Sequence, residues 1–260
     1  MKKFQRFIII LLLLAIAVFT YGLELRGKYV VPILNYHEVS LNGREDNLLN
    51  VTAKNFETQM SFLKRHKYNV ISLDELVSSI TSKKPLPRNS VVLTFDDGNE
   101  DNYEHAFPIL KKYGFPATIF VIVRFIGKKG FLTWEQIEEM EKSGITFGSH
   151  TLSHAYLPDF SQSKQKKEIY ASKKILERRL GHSVNHFCYP KGGFSNEIKG
   201  FVRSAGYASA CSTNRGYDRF NRDVYELKRI RFANKYTMPI VFWAKLSGYY
   251  NLLRKPVAPF

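Results

Sequence analysis

Ser90-Val91-Val92-Leu93-Thr94-Phe95-Asp96-Asp97-Gly98 runs a short β-favouring segment straight into two carboxylates and a glycine. A continuous apolar run of this length, closed by a turn signal, reads as a buried strand. Charged side chains are seldom buried without partners, so polar chemistry is expected to gather at the end of this strand. Asp-Gly is also ordinary turn chemistry, which by itself would account for one Asp and the Gly.

Working outward, six more strand candidates share that character: Val30–Tyr36, Asn69–Ser72, Ala117–Val123, Thr146–Ser149, His186–Tyr189 and Ala208–Ser212. Helical patterns lie between them. Thr52 can cap a helix carrying Phe56, Met60 and Leu63, and Thr133 can cap Trp134–Ser143 ahead of Gly144. Ile169, Leu176 and Leu180 mark one face of a helix that Gly181 ends, and Ile198–Ser204 stops before Gly206. Alternating strands and helices indicate α/β architecture with parallel strands. Seven strands point to a barrel or near-barrel, whose catalytic groups collect at the C-terminal strand ends. Ser82–Asn89, with Pro85 and Pro87, reads as a surface loop.

A second cluster sits at another strand end, where Thr146-Phe147-Gly148-Ser149 is followed by His150-Thr151-Leu152-Ser153-His154. Two imidazoles four residues apart face one point if the segment makes a helical turn. With a carboxylate they form a donor set suited to zinc. One histidine alone would more often be structural; two strand-end clusters of complementary ligands are harder to attribute to chance.

These residues carry a family resemblance. Thr94-Phe95-Asp96-Asp97-Gly98 and His150-Thr151-Leu152-Ser153-His154, in that order, resemble the motifs of the polysaccharide deacetylases, the family-four carbohydrate esterases. The likeness continues through Cys188-Tyr189-Pro190-Lys191-Gly192 and Tyr225-Glu226-Leu227-Lys228-Arg229-Ile230, and so spans roughly Pro32 to Arg231. It implies a distorted (β/α)7 barrel-like fold in which Asp97, His150 and His154 hold a divalent ion, most simply Zn2+ with Co2+ or Ni2+ as substitutes. Asp96 is then the general base that deprotonates the attacking water. His37, in Asn35-Tyr36-His37-Glu38, resembles the early histidine of the branch acting on poly-N-acetylglucosamine and is the candidate general acid; no histidine follows His186. The broad family pattern has an Arg where this chain has Cys188, so Arg229, or Arg231, is expected to partner Asp96. The Lys191 backbone N–H is the candidate oxyanion donor, with Gly192 permitting close approach; Gly192 is a candidate sugar contact, and Tyr189 is either a sugar contact or a core aromatic.

The chain ends set the context. Lys2, Lys3 and Arg6 precede an apolar run from Phe7 to Leu23, followed by Glu24, Arg26 and Lys28. That is the pattern of an export leader. Ala15-Ile16-Ala17 offers a cleavage pattern, whereas the length approaches the ~20 residues of a membrane span; the protein is expected to be extracytoplasmic, either anchored or secreted. The expected organisation is residues 1–28 as leader and linker, 29–235 as catalytic domain and 236–260 as a basic, aromatic tail. Net charge is +16, concentrated between Ser161 and Leu180 and beyond Glu226. Such clusters attract anionic envelope surfaces, and behind an export signal nucleic acid is not an expected partner. Cys188 and Cys211 give no disulfide framework, leaving one bridge or two buried thiols.

The expected activity is metal-dependent removal of N-acetyl groups from a surface polysaccharide, in first place poly-N-acetylglucosamine. Peptidoglycan, chitin oligomers or O-acetyl esters are rival substrates, and a non-catalytic glycan-binding protein is the rival from another class. A pure binder has no use for a base beside a complete set of metal ligands.

Overall fold

Strand β5 (Ser90–Phe95) lies within an eight-stranded, wholly parallel sheet in a computed structural model that describes residues 2–26, 28–42, 47–255 and 257–260. Its companions are β1 (Ile33–Tyr36), β4 (Asn69–Ile71), β6 (Ala117–Val121), β7 (Ile145–Ser149), β8 (His186–Cys188), β9 (Ser209–Cys211) and β10 (Ile230–Arg231), in the order β10-β1-β5-β6-β7-β8-β9. Val92 pairs with Ile33 of β1 and with Ile71 of β4, so β4 must take the edge of β5 that β6 takes at Thr94 and Phe95. The sheet therefore branches at β5. A separate parallel pair, β2 (Glu38–Ser40) and β3 (Asn50–Thr52), follows β1.

All seven expected strands are present. The sheet curls because one short segment laces its two edges: Leu227 bridges Cys211 of β9, and Ile230 and Arg231 pair with Leu34 and Asn35 of β1. This segment has few apolar residues and only a two-residue ladder, which is why it does not read as a strand in the sequence.

Alternation along each strand sorts side chains into two layers. Leu34, Tyr36, Val91, Leu93, Phe95, Ile119, Phe147 and Phe187 face outward into the main core beneath the helices. Ile33, Val92, Phe120, Cys188 and Cys211 face inward, joined by Leu73, Leu76 and Val77 of α3 (Leu73–Ser82), which plug the end remote from the carboxylates. Higher inside the barrel the lining turns polar, with Asn35, Thr94 and Asp96 all buried. The two cysteines are free, buried thiols at paired positions of β8 and β9.

Helix signals held where caps were legible. Thr52 caps α2 (Ala53–Arg65), and Thr133 forms a capping box with Gln136 on α5 (Trp134–Glu141). Gly181, in the left-handed conformation, ends α6 (Gln162–Leu180), and Ser195 caps α7 (Asn196–Ser204). Three further helices fall outside that reading: α3, which Ser72 and Glu75 open with a capping box, α4 (Phe107–Tyr113) and α8 (Pro239–Leu246); α9 (Tyr250–Leu253) is a single turn.

At the N-terminus α1 spans Lys2–Arg26. Its large apolar side chains from Phe7 to Tyr21 are all exposed. The side chains of Lys2, Lys3, Arg6, Leu23 and Arg26, on which the leader reading also rests, lie outside the described residues. Among the described residues no helix is long and apolar enough to cross a membrane. At the other end residues 236–260, read from the sequence as a basic, aromatic tail, pack on the domain through α8: Phe242 and Leu246 are buried in the main core, with Phe242 edge-on to Phe62 and Phe232. Burial of these apolar groups joins 236–260 to the catalytic domain. Of the basic residues beyond Glu226, Lys228, Arg229 and Lys245 are buried and so are unavailable to an anionic surface. Lys164, Lys166, Lys167, Lys174, Arg178 and Arg179 on α6 do face solvent.

Candidate active site

Each C-terminal strand end contributes one part of the site. His37 follows β1, Asp96 and Asp97 follow β5, the His150–His154 turn follows β7, Lys191 follows β8, and Arg229 comes from the lacing segment. Several of these residues occupy the left-handed region that disfavours ordinary side chains: Asp97 (φ 74), Thr151 (φ 66), His154 (φ 60) and Lys191 (φ 55). Conformations of this kind cost energy and concentrate at functional sites. Gly98, at φ 73, approaches so closely that an added Cβ would stand 2.8 Å from Val121 Cγ1.

Asp96 is buried and fully engaged. Arg229 Nη1 donates to Oδ1 and Nη2 to Oδ2, both at 2.7 Å, and Asn35 Nδ2 donates to Oδ2 at 2.9 Å. The remaining guanidinium donors reach Ser212 O, Thr94 Oγ1 and Cys188 Sγ. Burial alone would raise the Asp96 carboxyl, but the Arg229 charge and its hydrogen bonds outweigh it and hold the group well below the usual carboxylate range. Sequence reasoning missed Asn35; its signal was a lone amide at an inward position of an apolar strand.

Beside this pair lies a cluster of three side chains that could hold a metal ion, Asp97, His150 and His154. His150 Nδ1 donates to the Cys188 carbonyl at 2.8 Å, which leaves Nε2 as the free nitrogen. His150 Nε2 and His154 Nε2 stand 3.5 and 3.4 Å from Asp97 Oδ1, which is buried with no hydrogen-bond partner. Burial raises Asp97 and lowers both histidines, so the imidazoles are neutral, the form that binds metal. The three residues thus fit a divalent cation, and an orphaned buried carboxylate oxygen is what such an ion would satisfy. Asp96, His150 and Cys188 also lie within ligand range of one another. That set is the weaker one: Arg229 occupies both Asp96 oxygens, and burial pushes the Cys188 thiol well above its ordinary value.

The His150–His154 segment is an irregular turn rather than a helical one. Glu168 of α6 accepts from both the Ser153 N–H and the Ser153 hydroxyl, fixing the turn and bringing the imidazole centroids to 4.9 Å. His37 Nε2 is 3.8 Å from Asp96 Oδ2. Burial is the main cause that lowers His37, to about 4, with the Arg229 and Arg231 charges adding to it against Asp96. Asn102 donates to the His37 carbonyl and anchors this loop.

Lys191 sits on an exposed turn close enough to His154 for its charge to lower that imidazole. Two candidate sugar contacts are packed inside the protein. Tyr189 is fully buried, its hydroxyl donates to Tyr225 O, and its ring stacks on Phe194, so it is a core aromatic. Gly192 is buried against Ser212 and Thr213, where a Cβ would meet Thr213 Oγ1 at 2.3 Å. Its glycine serves the turn rather than a ligand.

Comparison with known proteins agrees with this geometry. Residues 83–210 match the family model for polysaccharide deacetylase. A Bacillus subtilis strain 168 protein, YxkH, named for the polysaccharide deacetylases, is 36% identical over 78% of this chain and 71% of its own length. The poly-beta-1,6-N-acetyl-D-glucosamine N-deacetylase of Staphylococcus aureus strain MRSA252 is 30% identical over 77% of this chain and 78% of its own. The Streptococcus pyogenes deacetylase PplD, solved in complex with acetate, superposes with a TM-score of 0.74 at 30% identity, covering 79% of this chain and 93% of that one. With the Asp97, His150 and His154 cluster and the buried Arg229–Asp96 pair gathered at the strand ends, the chain belongs to the polysaccharide deacetylase family.

Proposed function

We propose that this deacetylase is metal-dependent, uses zinc, and removes N-acetyl groups from N-acetylglucosamine units of a cell-surface polysaccharide, in first place poly-N-acetylglucosamine. The observation that carries the reading is the meeting of Asp97 Oδ1 with the Nε2 atoms of His150 and His154, beside an Asp96 already held ionised. Asp97, His150 and His154 would hold the ion. When bound, it would polarise the acetamide carbonyl and acidify the attacking water.

Asp96 accepts the proton from that water, and Arg229 and Asn35 fix the orientation of its carboxylate. His37 is neutral near pH 7, so as general acid it must first receive a proton. Its Nε2 lies 3.8 Å from Asp96 Oδ2, near enough to take that proton after a small movement and hand it to the departing amine. The Lys191 backbone N–H supports the developing oxyanion. The leader reading of α1 and its exposed apolar surface favour an extracytoplasmic protein, anchored or secreted, and the exposed basic face of α6 suits an anionic envelope surface.

The direct test is acetate release by chain lacking residues before Leu25, screened on poly-N-acetylglucosamine, peptidoglycan, chitin oligomers and acetylated xylan. Chelation should abolish release, and zinc or cobalt should restore it. Release that survives chelation would refute metal dependence, and a preference for another polymer would replace the substrate.

A further inference from the structure

Next to the catalytic pair opens a cavity of about 300 Å³ whose wall includes Asn35, Arg229, Arg231, Arg254, Tyr236 and Asn214. Asn35 and Arg229 reach Asp96 from this wall, so the cavity adjoins the reacting centre. Its character is set by positive charge. Arg231 is exposed. Arg254 Nη1 donates to the Arg229 carbonyl at 2.9 Å and to Asn251 Oδ1 at 3.3 Å, both uncharged acceptors. Lys245 donates to the Arg231 carbonyl at 2.6 Å from among the rings of Phe232, Tyr236 and Tyr250.

Among the described residues, neither Arg231, Arg254 nor Lys245 has a carboxylate partner, and Asp96 is already occupied by Arg229. The groups feel one another. Burial chiefly, then Arg254, Lys235 and Arg231, lower Lys245 to about 7, and burial followed by Arg231 lowers Arg254. Guanidinium groups that share one cavity repel each other, and an anion entering it would relieve that repulsion through charge-assisted hydrogen bonds. Guanidinium forks match carboxylate and phosphate oxygens in particular.

We infer that this cavity is a subsite for an anionic substituent, phosphate or carboxylate, carried by the glycan beside the N-acetylglucosamine being deacetylated, with Arg231 and Arg254 as its anchors. The inference rests on the deacetylase reading and narrows its substrate to an N-acetylglucosamine polymer bearing negative charge. It also gives Arg231 a role that its neighbour Arg229, bound to Asp96, cannot share.

The test compares zinc-loaded full chain with its Arg231→Gln variant on three matched N-acetylglucosamine oligomers: neutral, phosphate-bearing and carboxylate-bearing. The wild type should favour at least one charged oligomer in kcat/KM by about tenfold, as expected for charge-assisted hydrogen bonds. Arg231→Gln should bring that ratio close to one. In parallel, inorganic phosphate is titrated calorimetrically onto both proteins, and the variant should bind it about tenfold more weakly. The titration does not require turnover, so a chain that binds phosphate through Arg231 yet releases no acetate from any oligomer refutes the deacetylase reading and leaves the subsite standing. Equal phosphate affinity in the two proteins, or a charged-to-neutral ratio that Arg231→Gln does not lower, overturns the subsite.

Discussion

Arg229 clasps Asp96 with two parallel hydrogen bonds of 2.7 Å, although 133 residues separate them in the chain. The clasp keeps the carboxylate ionised and aimed. Replacing Arg229 by Gln removes the charge that outweighs burial, so the Asp96 pKa should rise. The acid limb of the pH–kcat/KM profile should then move to higher pH, and activity at pH 7 should fall by about 100-fold or more. Because Asp96 is depressed in the folded state, the pair stabilises the fold above the unfolded carboxylate value of about 3.9, and this contribution fades as pH falls below it. The variant should also lose about 3–5 kcal/mol at pH 7, the cost of leaving a buried charge unpaired. Urea titrations and a pH–rate profile check both; an unmoved acid limb would show that Arg229 does not tune the base.

The metal ligands make a separable prediction. His154 is partly exposed and, among the described residues, its ring meets only Asp97 and the His150 ring, so His154→Ala should fold normally. It should nonetheless bind zinc more than about 100-fold less tightly, since loss even of an outer partner to a ligand costs about 10–100-fold. Metal content after dialysis, measured by atomic emission, is the readout. Retention of one zinc per chain would place the ion elsewhere.

His37 carries a different signature. As general acid, His37→Gln should lower kcat by about 10²–10⁴-fold while metal content stays at one ion per chain. It also predicts a pH effect on stability in the metal-free protein. The folded imidazole titrates at about 4 and the unfolded one near 6.5, so the unfolded chain binds more protons between those values. Stability from the neutral, buried ring is therefore full above about 6.5 and is lost as pH falls toward 4; at pH 5 the loss is roughly 2 kcal/mol. Thermal melts at pH 7 and pH 5 should show a smaller drop for His37→Gln than for the wild type. Equal drops would mean the ring is not the group responsible.

What the sequence made legible follows from how local each signal is. Asp96, Asp97, His150 and His154 lie in two short motifs, and capping residues such as Thr52 and Thr133 act within one turn. Arg229 was reachable only as the expected substitute for the arginine missing at Cys188. Asn35 was not reached, because one amide in an apolar strand gains meaning only when β1 lies beside β5. For Tyr189 the sequence left pocket and core open, and for Gly192 it offered only a place beside a motif; the turn after β8 decides both, burying the Tyr189 ring and packing Gly192 on Thr213. How the tail packs was likewise out of reach: its basic residues are conspicuous in the sequence, whereas the burial of Phe242 and Lys245 depends on partners far away.

The packing of α8 supplies the last prediction. Phe242 is fully buried, edge-on to Phe62 of α2 and to Phe232 just beyond β10, so it ties the end of the chain to the strand that closes the barrel. Removing a buried phenyl ring costs about 3–5 kcal/mol through lost transfer energy and the cavity left behind. Phe242→Ala should show that loss in urea unfolding, with one cooperative transition observed by both fluorescence and circular dichroism. A free tail would predict almost no change. Because Phe232 N–H donates to the Asn35 carbonyl, loosening this corner should also disturb Asn35 and so Asp96. Turnover should therefore fall modestly, by a few fold, with zinc affinity unchanged; full activity together with full stability would show that residues 236–260 brace neither the fold nor the site.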